Sequence, residues 1–172
     1  MTLVSTSWLN QNINKVKIID ASWHLAKNRN AIEEYKSEHI ENAIFFDLEK
    51  NSNPKKNLPH RHFLPLLNNH EKSISEMGIS NTDRIVIYCY SDLISSARVW
   101  FQFIYFGHNP KLISVLNGGF KKWKLEKREV TNKQTRVIPS KYIAKENKYM
   151  IKTKDEINQN IKKKKLYSFR CS

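Results

Sequence analysis

The chain has 172 residues, of which 40% are hydrophobic and 11% aromatic, so it is long enough to bury a core within one domain of ordinary size. Residues 1–11 lack the basic stretch and apolar core of a signal peptide, and no apolar run approaches the roughly 20 residues of a membrane-spanning helix. The only two cysteines, Cys89 and Cys171, exclude a disulfide framework, and their spacing fits no metal site. We therefore expect a cytoplasmic protein with no membrane partner and no metal.

The formal net charge of +14 is concentrated in the second part of the chain. Residues 1–110 carry 12 Lys and Arg against 11 Asp and Glu, whereas residues 111–172 carry 18 against 5. A basic appendage of this kind fits either a nucleic-acid partner or a solvated lysine-rich surface. Because no recognition motif accompanies the charge, the second interpretation is favoured and nucleic acid is not expected as a partner.

Short apolar runs alternate with amphipathic stretches along the first 126 residues. Buried strands are predicted at residues 16–20, 43–47, 85–88 and 112–116. Helices are predicted at residues 5–12, 31–39, 69–77, 95–106, 120–126 and 151–161. The predicted N-caps are one of Ser5, Thr6 and Ser7 for the first helix, then Asn30, Asn69 and either Ser95 or Ser96, and the predicted stops are Gly78 and Gly107. This alternation predicts an α/β fold with a mainly parallel sheet covered by helices on both faces.

One cysteine occupies a position where chemistry is common in such folds. Cys89 directly follows the apolar run 85–88 and precedes a predicted helix. In open parallel sheets the crevice at the carboxyl ends of the strands is where ligands bind. Asp20 and Asp47 end two other predicted strands at the same edge, but acids at such positions are more often turn residues than catalysts. Cys89 is therefore either a nucleophile or a small buried residue.

Several motifs that occur in order with fitting gaps give the chain a family resemblance. They are VSTSWL, IIDASWHL, EYKSEHIENAIFFDLE, MGISN, SSARVWF, FGH and VLNGGFKKW. Over residues 4–132 the chain resembles the first domain of the two-domain rhodaneses, the thiosulfate and 3-mercaptopyruvate sulfurtransferases. The resemblance implies a rhodanese-like parallel five-stranded sheet flanked by helices. It also implies a rhodanese-like domain at 1–132, followed at 133–172 by the interdomain linker and the stump of a missing second rhodanese domain.

The same resemblance implies a function. The expected reaction moves sulfane sulfur from thiosulfate or 3-mercaptopyruvate, a small anionic donor, to a thiol or cyanide-type acceptor through a cysteine persulfide, with no cofactor. Cys89 is the candidate nucleophile, although first domains of this family usually have Asp at this position. A helix N-terminus favours a thiolate, whereas the charge of Asp92 and the lack of Arg or Gly in the following loop oppose it.

Three further residues take roles from the resemblance. Arg98 matches the arginine of a Ser-Ala-Pro-Arg-Val-Trp motif, and a guanidinium suits an anionic substrate. Glu49 and His60 match an acid and a histidine that assist proton transfer in mercaptopyruvate enzymes. Two extra residues leave the register open between His60 and His62.

Two other functions were compared with this one. A phosphatase on the same fold needs an arginine six positions after the cysteine, and that position holds Ser95. The phosphatase is therefore excluded. A catalytically inactive domain, serving as a substrate-binding half or a basic binding module, stays open as the alternative, since Cys89 is equally compatible with a structural role.

Overall fold

The computed structural model describes residues 2–26, 28–53, 62–90 and 93–162. Its strands are β1 (Thr2–Val4), β2 (Lys17–Asp20), β3 (Ala43–Phe45), β4 (Ile85–Tyr88) and β5 (Ile113–Leu116). They form one sheet in the order β1-β5-β4-β2-β3, and all four neighbouring pairs are parallel. The predicted α/β fold with a parallel five-stranded sheet is confirmed.

Helices cover both faces of this sheet. They are α1 (Thr6–Asn12), α2 (Ala31–Ser37), α3 (Leu67–Glu76), α4 (Ile94–Tyr105), α5 (Gly119–Leu125) and α6 (Lys154–Lys162), with short 3₁₀ turns at Pro110–Leu112 and Lys148–Met150. Side chains of α3 and α4 pack in one buried cluster, and side chains of α1, α2 and α5 pack in a second cluster on the opposite face. No helix in the described ranges is long and apolar enough to cross a membrane.

The central strand β4 is buried on both faces and sets the position of Cys89. Ile85 and Ile87 belong to the cluster with α3 and α4, whereas Val86 and Tyr88 belong to the cluster with α1, α2 and α5. Successive side chains of a strand point to opposite faces. Cys89 follows Tyr88 and therefore faces α4.

The two predicted glycine stops are confirmed. Gly78 has φ +65° and Gly107 has φ +87°, the left-handed conformation in which glycine avoids a Cβ clash. The amide of Ile79 donates to the carbonyl of Ile74 at 3.2 Å, and the amide of His108 donates to the carbonyl of Phe103 at 2.9 Å. These bonds satisfy carbonyls that the ends of α3 and α4 would otherwise leave unpaired.

The predicted N-caps are right for two helices and wrong for two. Ser5 accepts from the amide of Trp8, and Asn30 accepts from the amide of Ile32, as expected. The predicted caps Asn69, Ser95 and Ser96 instead lie inside the first turns of α3 and α4, which begin after Leu66 and Leu93. Neither leucine has a side chain that can cap a helix. The prediction relied on the preference of Asn and Ser for the N-cap position, and it therefore put the starts of both helices too late in the chain.

The segment after residue 132 packs against the domain. Tyr142 is 1% exposed, and its ring stacks with that of His108 and meets that of His70 edge-on. The amide of Tyr142 donates to Ser75 Oγ at 3.0 Å, and the amide of Ala144 donates to Glu71 Oε2 at 2.8 Å. The predicted linker is thus fixed on α3 and on the end of α4, while α6 buries no side chain.

Candidate functional site

The thiol of Cys89 lies at the carboxyl end of β4, covered by the first turn of α4. Cys89 is 1% exposed, and its Sγ is 3.5 Å from Ser96 Oγ. The hydroxyl of Ser96 donates to the carbonyl of Leu93 at 3.0 Å, and a hydroxyl has only one proton to donate. Ser96 therefore contacts the thiol without donating its own proton to it.

The backbone of Cys89 is held by the start of α5. Its carbonyl accepts from the amide of Phe120 at 2.9 Å, and the carbonyl of Tyr90 accepts from the amide of Lys121 at 2.8 Å. Gly119 has φ +56°, and a Cβ added there would lie 2.3 Å from the oxygen of Cys89. Only glycine allows this approach, so the Gly118-Gly119 pair of the sequence fixes the position of the cysteine.

The N-terminus of α4 lies beside the cysteine and contains two buried serines. Leu93, the N-cap residue, has φ +61°, an uncommon conformation for a side chain of this size. Ser96 contacts the thiol, whereas the Oγ of Ser95 is buried and has no hydrogen-bond partner within the described part of the chain. A helix N-terminus favours negative charge, so this turn can stabilise an anion once the Cys89–Ser96 contact opens.

A second set of side chains contains an acid and a histidine. His62 Nε2 is 2.9 Å from Glu49 Oε1, and Trp23 Nε1 donates to the same oxygen at 3.4 Å. The rings of Trp23 and His62 meet edge-on with centroids 4.9 Å apart. Of the two histidines allowed by the sequence register, His62 is thus paired with Glu49. His60 lies outside the described residues, as do Asp92 and Cys171.

Arg98 connects this set to α4. Its Nη2 donates to the carbonyl of His62 at 2.8 Å, and its Nη1 donates to Gln102 Oε1 at 3.4 Å. Burial lowers the pKa of the guanidinium from its ordinary value, although a guanidinium stays charged at neutral pH. The side chain is half-buried, and two of its N–H groups already donate to His62 and Gln102. An anion would therefore be bound by the remaining N–H groups of the guanidinium.

Gln102 is a residue of this region that the sequence reasoning missed. It is fully buried, and its Nε2 donates to the carbonyl of Asn51 at 3.3 Å and lies 3.2 Å from His70 Nδ1. Its position one helical turn after Arg98 was the available signal, because residues four apart share a helix face. Gln102 therefore links Arg98 to the core.

The two acids that end strands at this edge behave as turn residues, as predicted. Asp20 Oδ1 accepts from the amide of Ser22 at 2.9 Å, and Asp47 Oδ1 accepts from the amide of Glu49 at 3.0 Å. Burial raises the pKa of the Asp20 carboxyl, and hydrogen bonds from Ser22 and Tyr88 oppose that rise. Within the described ranges, no group of His, Cys, Asp and Glu side chains could hold a metal ion.

Comparison with known proteins agrees with this architecture. The family model for the rhodanese-like domain matches residues 5–126. Thiosulfate sulfurtransferase from Rattus norvegicus is 34% identical over 171 residues, which are 95% of this chain and 56% of the rat protein. Thiosulfate/3-mercaptopyruvate sulfurtransferase 2 from Arabidopsis thaliana is 42% identical over 125 residues, which are 71% of this chain and 35% of the plant protein.

A solved structure gives the same result. The crystal structure of SseA from Escherichia coli, described as a 3-mercaptopyruvate sulfotransferase with the rhodanese fold, superimposes with a TM-score of 0.86 at 25% identity. The match covers 95% of this chain and 63% of that one. The chain spans about half the length, 56%, of the thiosulfate sulfurtransferases from rat, mouse and cattle. On the family match and the parallel sheet that carries Cys89, the chain belongs to the rhodanese-like domain family.

Proposed function

We propose that this chain is the first domain of a sulfurtransferase that moves sulfane sulfur from thiosulfate or 3-mercaptopyruvate to a thiol or cyanide-type acceptor. The rhodanese-like match over residues 5–126 carries the proposal, and the named activities of the rat and Arabidopsis relatives support it. Residues 1–132 form the rhodanese-like domain in this proposal. Residues 133–172 form the linker and the first part of a second domain, which the relatives' greater length leaves room for.

Cys89 is the proposed nucleophile. Its thiolate attacks the outer sulfur of thiosulfate, a bond forms between the two sulfurs, and sulfite leaves with the electron pair of the broken S–S bond. An acceptor thiolate or cyanide then attacks the outer sulfur of the persulfide and restores the Cys89 thiolate. The N-terminal turn of α4 supports the anionic state, since its dipole and its amides favour negative charge there.

The Glu49–His62 pair is the proposed proton relay. With 3-mercaptopyruvate the bond that breaks is carbon–sulfur, and the departing enolate of pyruvate needs a proton. The 2.9 Å contact with Glu49 fixes the orientation of the His62 ring. Arg98 is proposed to bind the carboxylate or thiosulfate oxygens with the donors that His62 and Gln102 leave over.

The alternative, a catalytically inactive half, also has a specific observation in its favour. Cys89 is 1% exposed and its Sγ lies 3.5 Å from Ser96 Oγ, so a sulfur donor reaches Sγ only after this contact opens. In that case the cysteine replaces a structural acid, and Arg98 with the Glu49–His62 pair serves a nucleophile on the second domain.

Activity assays on paired cysteine variants separate the two. Thiocyanate formation from thiosulfate and cyanide, and pyruvate release from 3-mercaptopyruvate, are measured for the full chain, for Cys89→Ser and for the matched control Cys171→Ser. We expect turnover that Cys89→Ser abolishes and Cys171→Ser retains, together with a mass gain of one sulfur atom on Cys89 after thiosulfate treatment. Equal turnover in the chain and in Cys89→Ser contradicts catalysis by Cys89 and leaves the inactive half.

We also propose a cytoplasmic location. A buried free thiol at Cys89 suits a reducing compartment. One Arabidopsis relative is named as mitochondrial, so fractionation of cells that express the tagged chain is the test.

A further inference from the structure

A groove of about 500 Å³ lies at the edge of the sheet opposite to Cys89. Its walls come from the start of β2 at Lys17, from Arg84 just before β4, from Ile44 of β3, and from residues 135–138 of the segment that follows the domain. All five strands are parallel, so their amino ends meet here and their carboxyl ends meet at the cysteine. The groove is therefore separate from the proposed sulfur-transfer site.

Four basic side chains line the groove, and we call them the groove cations. They are Lys15, Lys17, Arg84 and Arg136. None of them forms an ion pair with an acid of the described residues, although pairs are common elsewhere on this surface. On α5, for comparison, Lys122 lies 3.9 Å from Glu126, and Lys124 also has a glutamate partner. The groove cations therefore have no carboxylate partner among the described residues, although Arg84 Cζ lies 6.0 Å from the centroid of the Trp8 ring.

One acid lines the groove, and its carboxylate already accepts a hydrogen bond from a backbone amide. Asp83 Oδ2 accepts from the amide of Ser80 at 2.7 Å. With four cations against one carboxylate, the lining carries a net positive charge in a concave site. Like charges that share a groove repel one another, and an anion bound between them removes that cost.

The groove lining is more polar than apolar, but it includes five apolar residues that we call the apolar floor. Val16, Ile44, Met77 and Val137 are only partly buried there, and Ile138 is 73% exposed. The apolar area that these side chains leave in water can pack against a flat or apolar part of a ligand. The site therefore suits a molecule that has both an anionic end and an apolar body.

Two hydrogen bonds fix parts of the groove lining. Asn42 Nδ2 donates to Asn14 Oδ1 at 3.0 Å, and Thr135 Oγ1 donates to the carbonyl of Ala43 at 2.7 Å. The second bond holds the chain next to Arg136 against β3. A site whose walls are already in place loses less entropy when a ligand binds.

We propose that this groove binds a small molecule that carries two or more phosphoryl groups on an apolar or aromatic body, as a nucleoside di- or triphosphate does. Arginine and lysine are the usual partners of phosphate oxygens, and the groove has two of each. A volume of about 500 Å³ fits a ligand of nucleotide size. A nucleic-acid duplex would favour a longer basic stripe along the surface than these four residues provide.

Calorimetric titration of the full chain tests the proposal, with ATP as the probe at constant ionic strength and without Mg²⁺. Lys15→Glu/Arg136→Glu changes two exposed groove cations, and Lys111→Glu/Lys121→Glu makes the same change of charge at exposed positions outside the groove. We expect saturable binding of one ATP, weakened at least about tenfold by the groove variant and less than about threefold by the control. Circular dichroism melts confirm that both variants fold.

Tripolyphosphate and a short RNA distinguish the sources of the anion. We expect tripolyphosphate to bind about tenfold more weakly than ATP, because it leaves the apolar floor in water. Equal affinity for the two probes would overturn the role of the floor. The site itself is overturned if both charge variants weaken ATP equally, if ATP does not saturate, or if RNA binds more tightly than ATP. None of these measurements depends on sulfurtransferase activity.

Discussion

Gly119 shows how closely single residues fix the position of Cys89. The cysteine has no freedom at its carbonyl, because the amide of Phe120 binds the oxygen and Gly119 leaves no space for a Cβ beside it. Its thiol is held in turn by Ser96. The reactive atom and its backbone are therefore positioned by two different helices, α4 and α5.

Gly119→Ala is expected to displace Cys89. The new Cβ would meet the Cys89 oxygen at 2.3 Å in a left-handed backbone, so we expect a loss of about 2–4 kcal/mol in the free energy of unfolding. In a Cys171→Ser background the thiol of Cys89 should also react faster with a maleimide, since its cover is disturbed. Chemical denaturation and labelling rates are the measurements.

Gly107→Ala is the matched control for this substitution. Gly107 is also left-handed, with φ +87°, but its added Cβ would meet the Lys145 oxygen at 3.0 Å. We expect a smaller loss, of about 1–2 kcal/mol, and unchanged labelling of Cys89. Equal effects of the two substitutions on labelling would show that Gly119 does not position the cysteine.

At the scale of elements, the buried strands and the glycine stops of helices could be predicted from the sequence. The short strand at the edge of the sheet could not. The four buried runs and the glycine stops at Gly78 and Gly107 were found because apolar periodicity and a left-handed stop depend on local sequence alone. Strand β1 was not assigned from the pattern, since it has only three residues and two of them are exposed at the sheet edge. Ser96 was misplaced as a cap because its contact with the thiol of Cys89 follows from the tertiary fold.

The same limit applies to the candidate site. Cys89, Glu49 and Arg98 were named from position and resemblance, and the choice of His62 as the partner of Glu49 needed coordinates. Their roles in sulfur transfer stay predictions. The position of Gln102 four residues after Arg98 was visible in the sequence, but its contacts with Asn51 and His70 could not be found by pattern, because they join it to other elements.

The packing of α3 against α4 predicts a dependence of stability on pH. His70 is fully buried, its ring stacks on Phe106 with centroids 4.2 Å apart, and its Nε2 has no partner among the described residues. Burial, and to a lesser extent the charge of His108, lowers the pKa of His70 from 6.5 to about 3. The fold therefore holds His70 neutral, while the unfolded chain takes up a proton below pH 6.5.

Stability should consequently be complete above about pH 6.5 and fall as the pH falls toward 3. At pH 5 we expect a loss of about 2 kcal/mol from this group, measured by urea denaturation between pH 7.5 and 5. His70→Phe keeps a ring on Phe106 but cannot take a proton, so its stability should change less with pH. The variant also removes the acceptor of Gln102. The loss of this one hydrogen bond lowers stability by a similar amount at every pH, so it does not affect how stability depends on pH. An unchanged slope in His70→Phe would contradict the assignment.

On the scale of the whole molecule, the family resemblance and the packing place the end of the folded unit differently. The resemblance predicts a domain at 1–132, and this boundary stays a prediction. Tyr142 and Ala144, beyond it, belong to the buried cluster that contains α3 and α4. The amides of Lys145 and Asn147 donate to the carbonyls of Phe106 and Tyr105 at 3.0 and 2.7 Å.

Two truncations measure where the unit ends. Ending the chain after Asn132 removes Tyr142, a fully buried aromatic ring, so we expect a loss of at least about 3–5 kcal/mol in the free energy of unfolding. Ending it after Lys152 removes α6, which buries no side chain, so we expect a change below about 1 kcal/mol. Tyr142→Ala in the full chain gives the same information should the shorter fragment fail to fold, with an expected loss of about 3–4 kcal/mol. Full stability of the 1–132 fragment would instead place the boundary where the sequence predicts it. Removal of the segment 133–152 would then leave the stability of the domain unchanged, as expected for a linker.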